Sequence, residues 1–280
     1  MKIVLSKEIG FCFGVKNAVE IAQKALDIND EQVYMLGPII HNPQVIEMFQ
    51  KKGAKIVSSI QEIPEGSTVI TRAHGASHSI LKEASQKRLK VVNTTCPYVK
   101  KVQEIAEYLY KNSYFIVVFG ERKHPEITSI LDIIHQNALV VEQISDLINI
   151  GHYKKIGLIS QTTKNINDFK ELFFYLLEKT EELRIFNTIC KATTKRQVSV
   201  LELSKKVDIM LVIGGKESAN TSRLVEICRN QGVKTFHIES KEELNYEWFH
   251  PQDSIGITSG ASTPDWVIKE VFDKLKEWPY

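Results

Sequence analysis

The sequence predicts an α/β protein of three similar units, a trefoil about a pseudo-threefold axis, and three observations carry that prediction. Short apolar runs ending in Gly and polar loops alternate with segments of helical period along the whole 280 residues. That alternation is the signature of parallel sheets covered by helices. Three of the four cysteines, Cys12, Cys96 and Cys190, recur at similar intervals, as repeats do. Two of them share a context: LKVVNTTC leads to Cys96 and LRIFNTIC to Cys190, each an apolar strand and then Asn-Thr-x-Cys.

The elements follow in order. KIVLSKEIGFC is a strand running to Cys12. Each cysteine is followed by a helical pattern: GVKNAVEIAQKAL, PYVKKVQEIAEYLYK and ATTKRQVSVLELSKK. Val15, Ala18, Val19 and Ala22 repeat at helical spacing, as do Val99, Val102, Ile105, Ala106 and Leu109. Pro97 suits a first helical position. Next come three buried strands with polar ends, VYMLGPIIHNP, YFIVVFGERKHPE and DIMLVIGGKESAN. The helices PQVIEMFQKKG, PEITSILDIIHQN and TSRLVEICRNQG follow, then the short strands AKIV, ALVV and KTFHI. A third set, STVITRAHGAS, KKIGLISQTTK and DSIGITSGAST, ends in loops of small and polar residues, and each opens a further helix. The units so defined are 13–96, 97–190 and 191–280, the last completed by the N-terminal strand 1–12. In parallel sheets ligands bind beyond the carboxyl ends of strands, where all three cysteines and the polar loops fall. A trefoil would therefore aim three thiols at one centre.

Composition narrows the function. With 43% hydrophobic and 25% charged residues the chain is an ordinary globular protein, not a disordered or fibrous one. A net charge of +2 without a long Lys/Arg run gives no expectation of nucleic acid. No run approaches the roughly 18 apolar residues of a membrane helix. The first apolar run is broken by Lys7 and Glu8 and reads as a strand rather than a signal peptide. The expected compartment is the cytoplasm, where thiols stay reduced, and the expected state is a monomer. The absence of CxxC excludes a zinc ribbon or thioredoxin motif, and no Walker loop or GxGxxG is present.

Zinc prefers four ligands or a histidine partner, whereas iron–sulfur clusters are held by thiolates. Three thiolates on a four-iron cubane leave one iron open to substrate. The bland alternative is three buried cysteines acting as small hydrophobes, and the matched contexts favour the cluster. Cys228, inside the helical LVEICRNQG, reads as core. The strand-end loops offer His41, His74, His124, Thr162, Thr163, Ser218, Asn220 and Ser262. Such donors, with backbone N–H groups at helix starts, suit a phosphate or diphosphate. Glu126 opens a helix; it is either a first-turn carboxylate favoured by the dipole or a proton donor. His78, His135, His152, His237 and His250 read as surface residues.

FCFGVKNAV, GPIIHNP, RAHG, NTTCP, ERKHPE, SQTT, TIC-x-AT-x-RQ, GG-x-x-SAN and GAS-x-P occur in that order. Together they resemble the 4-hydroxy-3-methylbut-2-enyl diphosphate reductase family over essentially the whole chain. The resemblance implies a trefoil around one oxygen-sensitive [4Fe–4S] cluster with Cys12, Cys96 and Cys190 as ligands and one open iron. It implies a reductive dehydroxylation, in which two electrons and two protons remove an allylic hydroxyl as water. The products would be isopentenyl and dimethylallyl diphosphate. His41, His74, Ser218, Asn220 and Ser262 would cradle the diphosphate. Glu126 would supply the proton, with His124 and Thr162 holding the relay near the substrate hydroxyl. Where many relatives carry Ser-Ser-Asn this chain has Ser218-Ala219-Asn220; one hydroxyl is missing, and the backbone N–H of Ala219 remains. With no flavin or nicotinamide motif, ferredoxin or flavodoxin is the implied electron donor. Arg72, Arg122, Lys123 and Lys191 lie in loops suited to attract an acidic carrier. The rivals are quinolinate synthase chemistry, a hydro-lyase that needs no electrons, and a cluster-based sensor.

Overall fold

The computed structural model describes residues 2–278. In chain order its strands and α-helices are β1 (Lys2–Leu5), α1 (Phe13–Asp27), β2 (Val33–Leu36), α2 (Pro43–Lys51), β3 (Lys55–Val57), β4 (Thr68–Ile70), α3 (His78–Gln86) and β5 (Lys90–Val92). There follow α4 (Pro97–Lys111), β6 (Phe115–Phe119), α5 (Pro125–Ile133), β7 (Ala138–Val141), β8 (Tyr153–Ser160), α6 (Ile166–Leu177) and β9 (Thr180–Ile185). The last are α7 (Lys191–Ser204), β10 (Ile209–Ile213), α8 (Ala219–Asn230), β11 (Lys234–Ile238), β12 (Ser254–Ser259) and α9 (Asp265–Glu277).

The strands form three four-stranded sheets, ordered β3-β2-β4-β5, β7-β6-β8-β9 and β11-β10-β12-β1. Every pairing is parallel. The three orders are one order: within each unit the second strand, then the first, the third and the cysteine strand. The expected α/β class with three like units is therefore what the chain adopts. β1 supplies the edge strand of the third sheet, with Ile3 opposite Ile255 and Leu5 opposite Ile257. In each sheet the connections from the two central strands leave in opposite directions. That makes β2/β4, β6/β8 and β10/β12 the switch points, beyond whose carboxyl ends such sheets bind ligands.

The central strands are continuous apolar runs because both faces are covered. Along β6, Ile116 and Val118 enter one cluster with Val102, Leu109, Ile127 and Ile130. Val117 and Phe119 enter the opposite cluster with Leu158, Phe169 and Leu172. The strand's two-residue period thus feeds both layers of helices. β10 does the same: Ile209, Leu211 and Ile213 meet Val267, Val271 and Leu275 of α9, while Met210 and Val212 meet Val200, Leu224 and Cys228. Each such side chain, fully buried, stabilises the fold by about 1.5–3 kcal/mol. α7 differs. Its buried face is largely polar, with Thr193, Arg196, Gln197, Ser199 and Ser204.

The chain divides into two compact bodies. One holds residues 2–16, Ile40–Lys51 and residues 191–278; the other holds Asn17–Ile39 and Lys52–Cys190. The segment carrying α2 thus belongs with the third sheet although it lies between β2 and β3 in the chain. Gln44 donates from Nε2 to the Glu239 carbonyl at 3.0 Å, and a Cβ on Gly215 would meet the His41 carbonyl oxygen at 2.5 Å. Only glycine permits that approach.

Candidate active site

The three repeated cysteines are placed by one device. The Cys12 N–H donates to the Ala261 carbonyl at 3.1 Å, Cys96 to Ala73 at 2.9 Å and Cys190 to Thr162 at 2.9 Å. Each acceptor lies just past the third strand of its unit, so the thiol is pinned beside the switch point of its own sheet. Each thiol is half-buried and immediately precedes α1, α4 or α7. None of these helices has an acidic residue in its first turn, so the positive helix ends face the sulfurs unneutralised. The Val15 N–H also reaches Cys12 Sγ at 3.5 Å. No disulfide ties up any of them. Partly accessible thiols with helix N-termini behind them are donors for a soft metal centre. Cys228 is the contrast: it is fully buried in the core, and burial pushes its thiol up to about 12.

Beyond β10 and β12, in the body that holds the third sheet, lie short neutral donors. Ser218 caps α8, its Oγ accepting from the Thr221 N–H. Ser262 Oγ donates to the His41 carbonyl at 3.3 Å and lies 3.5 Å from Ser218 Oγ. Asn220 Oδ1 accepts the Ala261 N–H at 2.9 Å. Its Nδ2 has no protein partner although the residue is only 5% exposed. A buried amide donor without a partner costs about 1–3 kcal/mol, and a bound anion would remove that cost. Of the residues expected to cradle a diphosphate, Ser218, Ala219 and Asn220 open α8 and Ser262 joins Ser218 to the His41 carbonyl in this body, whereas His74 belongs to the other.

The other body carries the titratable group. Glu126, 1% exposed, sits in the first turn of α5. Oε1 accepts the Thr162 N–H and Oε2 the Thr162 hydroxyl, each at 2.8 Å. Burial raises its pKa to about 7, with the Thr162 bonds opposing and Glu121 adding to the rise. Of the two roles left open by the sequence, this environment favours the proton donor over a plain dipole carboxylate. His124 caps α5, its Nδ1 accepting the Glu126 N–H at 3.2 Å. In the neutral ring that acceptor role puts the proton on Nε2. The His74 ring meets the His124 ring edge-to-face at 5.4 Å.

Of the four basic loop residues, Arg72 is half-buried: its Nε donates to the Leu36 carbonyl at 2.8 Å, and it lines a cavity of about 430 Å³ with Ser59, Ser77 and Asp132. Arg122, Lys123 and Lys191 are exposed. His237 is not a bare surface residue: its Nε2 lies 2.8 Å from the Gly214 carbonyl. Sequence reading passed over Arg196, a buried residue whose guanidinium holds the Glu8 and Gly10 carbonyls beside Cys12. Its only signal was the Arg-Gln pair that follows Cys190.

A repeated parallel α/β unit with a thiol and polar loops at each switch point defines a class of three-cysteine α/β protein. A family model described as LytB protein matches residues 3–276, and the chain belongs to the LytB family. A 4-hydroxy-3-methylbut-2-enyl diphosphate reductase of Geobacter metallireducens is 42% identical over 99% of this chain and 98% of its own. A protein of the same name from Clostridioides difficile is 42% identical over 99% of each chain. A solved structure of (E)-4-hydroxy-3-methyl-but-2-enyl diphosphate reductase, the terminal enzyme of the non-mevalonate pathway, is 41% identical over 99% of both chains, with a TM-score of 0.74. The Plasmodium falciparum E-1-hydroxy-2-methyl-but-2-enyl-4-diphosphate reductase is 28% identical and covers 99% of this chain and 88% of its own, with a TM-score of 0.94. Among the described residues no helix is long and apolar enough to cross a membrane.

Proposed function

We propose that this chain reduces 4-hydroxy-3-methylbut-2-enyl diphosphate, replacing its allylic hydroxyl by hydrogen to give isopentenyl and dimethylallyl diphosphate. Two electrons and two protons enter, and the hydroxyl leaves as water. Membership of the LytB family gives the reaction. The observation that carries the mechanism is Glu126, a buried acid whose pKa of about 7 lets it hold a proton at neutral pH and release it to substrate.

Cys12, Cys96 and Cys190 would hold one [4Fe–4S] cluster; their partial exposure, reduced state and helix N-termini fit thiolate ligation. When bound, such a cluster with one iron free of protein ligand supplies electrons and a Lewis acid. The protein's own work is positioning and proton supply. Ser218, Asn220, Ser262, the N–H of Ala219 and the His41 imidazole would hold the diphosphate, and holding one end fixes the other, which is proximity catalysis. Thr162 clamps both oxygens of Glu126, so the acid presents a fixed edge. When Glu126 is protonated the Thr162 hydroxyl can turn to accept. His124, whose Nδ1 accepts the Glu126 N–H, fixes the start of α5 from which that acid projects. Electrons would come from ferredoxin or flavodoxin, with Arg122, Lys123 and Lys191 as exposed cations for an acidic carrier. The chain would act as a cytoplasmic monomer.

The test is anaerobic turnover of reconstituted protein with reduced viologen and 4-hydroxy-3-methylbut-2-enyl diphosphate. Dye oxidation with release of both isopentenyl products is expected. Turnover without reductant would replace the reading by hydro-lyase chemistry, and no turnover with the cluster absorbance intact would overturn the substrate.

A further inference from the structure

The three-fold repeat breaks at one hydrogen bond, and the break points to Arg196. In the two sheets with the Asn-Thr-x-Cys motif, the threonine before the cysteine ties its strand to the neighbouring one. Thr94 Oγ1 donates to the Thr71 carbonyl at 2.6 Å and Thr188 Oγ1 to the Ser160 carbonyl at 2.6 Å. The corresponding position before Cys12 is Gly10, which has no hydroxyl and holds a φ of +79°. The carbonyl that the missing threonine would cap is that of Ser259, equivalent to Ser160 at the end of the paired strand.

Arg196 of α7 takes that place. Its Nη1 donates to the Ser259 carbonyl at 2.8 Å and to the Glu8 carbonyl at 3.3 Å, and its Nη2 donates to the Gly10 carbonyl at 2.8 Å. The residue is 3% exposed, Nε has no partner, and no carboxylate pairs with it among the described residues. Three carbonyls therefore surround a buried cation that makes no direct ion pair among the described residues. Burial lowers its pKa, and the charges of Cys12 and Glu8 oppose that. A neutral hydroxyl would satisfy Ser259 at far lower desolvation cost, so the charge asks for anions nearby. The loop carries two candidates, the Glu8 carboxylate and the Cys12 side of a metal centre.

We propose that Arg196 is a positioning residue for the Cys12 arm, clamping the Cys12 loop to the end of β12 and setting a buried positive charge beside one ligand of the cluster. This rests on the cluster reading of Cys12. A fixed cation favours the more negative, reduced cluster, so Arg196 raises the reduction potential. Of the three cysteine arms, only this one carries such a charge in place of a threonine cap.

The experiment compares Arg196→Gln, Arg196→Lys and Thr188→Val. In metal-free protein, Arg196→Gln should speed hydrogen exchange at the Gly10 and Cys12 amides, which donate to Ser259 Oγ and the Ala261 carbonyl. This readout needs no cluster, so it separates the clamp from the cluster reading, which reconstitution absorbance tests. In reconstituted protein, Arg196→Gln should shift the midpoint potential to more negative values and release iron to a chelator roughly 10- to 100-fold faster. Thr188→Val, which removes a neutral cap, should leave the potential unmoved. If Arg196→Gln does not fold, Arg196→Lys carries the test: it keeps the charge but cannot span three carbonyls, so exchange should quicken at an unchanged potential. A folded Arg196→Gln protein with wild-type exchange at Gly10 and Cys12 overturns the clamp. One with a wild-type potential overturns the electrostatic role.

Discussion

The loops beyond β10 and β12 and those beyond β6 and β8 occupy equivalent places in two copies of one unit, yet they are chemically opposite. The first set offers Ser218, Ser262 and Asn220, groups that hydrogen-bond at every pH and never change charge. The second offers Glu126, buried and titrating near neutrality, locked by Thr162 and flanked by His124. The capping position shows the divergence: Ser218 caps α8, His124 caps α5, and further along each first turn stands Asn220 in one and Glu126 in the other. A repeat can thus keep its backbone hydrogen bonds while one copy presents only neutral donors and another a buried titratable acid, which the proposed function assigns to holding an anion and to moving a proton.

The sharpest way to break this contrast is Glu126→Gln. Gln keeps the size and an acceptor for Thr162 but has no acidic proton. Anaerobic steady-state kinetics should show kcat falling about 10²–10⁴-fold with KM little changed. A kcat within a few-fold of wild type would remove the proton role.

The same variant should change stability with a definite sign. The Glu126 pKa is raised from 4.5 to about 7 in the fold. The folded state therefore binds the proton more tightly than the unfolded chain does. That contribution is complete below about pH 4.5 and disappears as pH rises to about 7. Above pH 7 the wild type carries a buried carboxylate at a cost on the order of 3 kcal/mol. Thermal melts should show Glu126→Gln gaining on the wild type between pH 5 and pH 8. A pH-independent difference would mean that Glu126 is not a buried titrating acid.

Ser262→Ala sharpens the other side. One hydrogen bond to a charged group is lost, about 1.5–3 kcal/mol. KM should rise roughly 10- to 100-fold while kcat stays near wild type, as for uniform binding. The smallest effect concerns the scaffold. Gly215→Ala forces a Cβ against the His41 carbonyl and should cost about 1–3 kcal/mol of stability, read by urea denaturation. Gly53→Ala, where no atom lies within 4 Å but φ is +92°, separates backbone strain from this contact.

Much of this was legible in the sequence, for physical reasons. Strands covered on both faces must be apolar throughout, so VYML, FIVVF and IMLVI announce themselves, and the N-terminal strand, expected to complete the third unit, pairs with β12 at the edge of the third sheet. The place of Ser218, Asn220 and Ser262 beyond β10 and β12 was legible because each stands in a small, polar run directly after an apolar strand. The burial of Glu126 was not, since a solvent-facing dipole carboxylate and a buried acid look identical until Thr162 is seen against it. Arg196 was invisible because α7 lacks an apolar stripe: its buried face is Thr193, Arg196, Gln197 and Ser199. Nor does an amphipathic helix name the surface it covers, so the pattern in α2 did not reveal that its segment belongs with the third sheet.

The most direct test is to measure kcat and KM for wild type, Glu126→Gln and Ser262→Ala in one anaerobic assay with 4-hydroxy-3-methylbut-2-enyl diphosphate and reduced viologen. The division of labour predicts that the first variant loses kcat and the second loses affinity, with both isopentenyl products formed by the wild type. Both variants losing the same parameter, or a wild type with an intact cluster that turns nothing over, would contradict it.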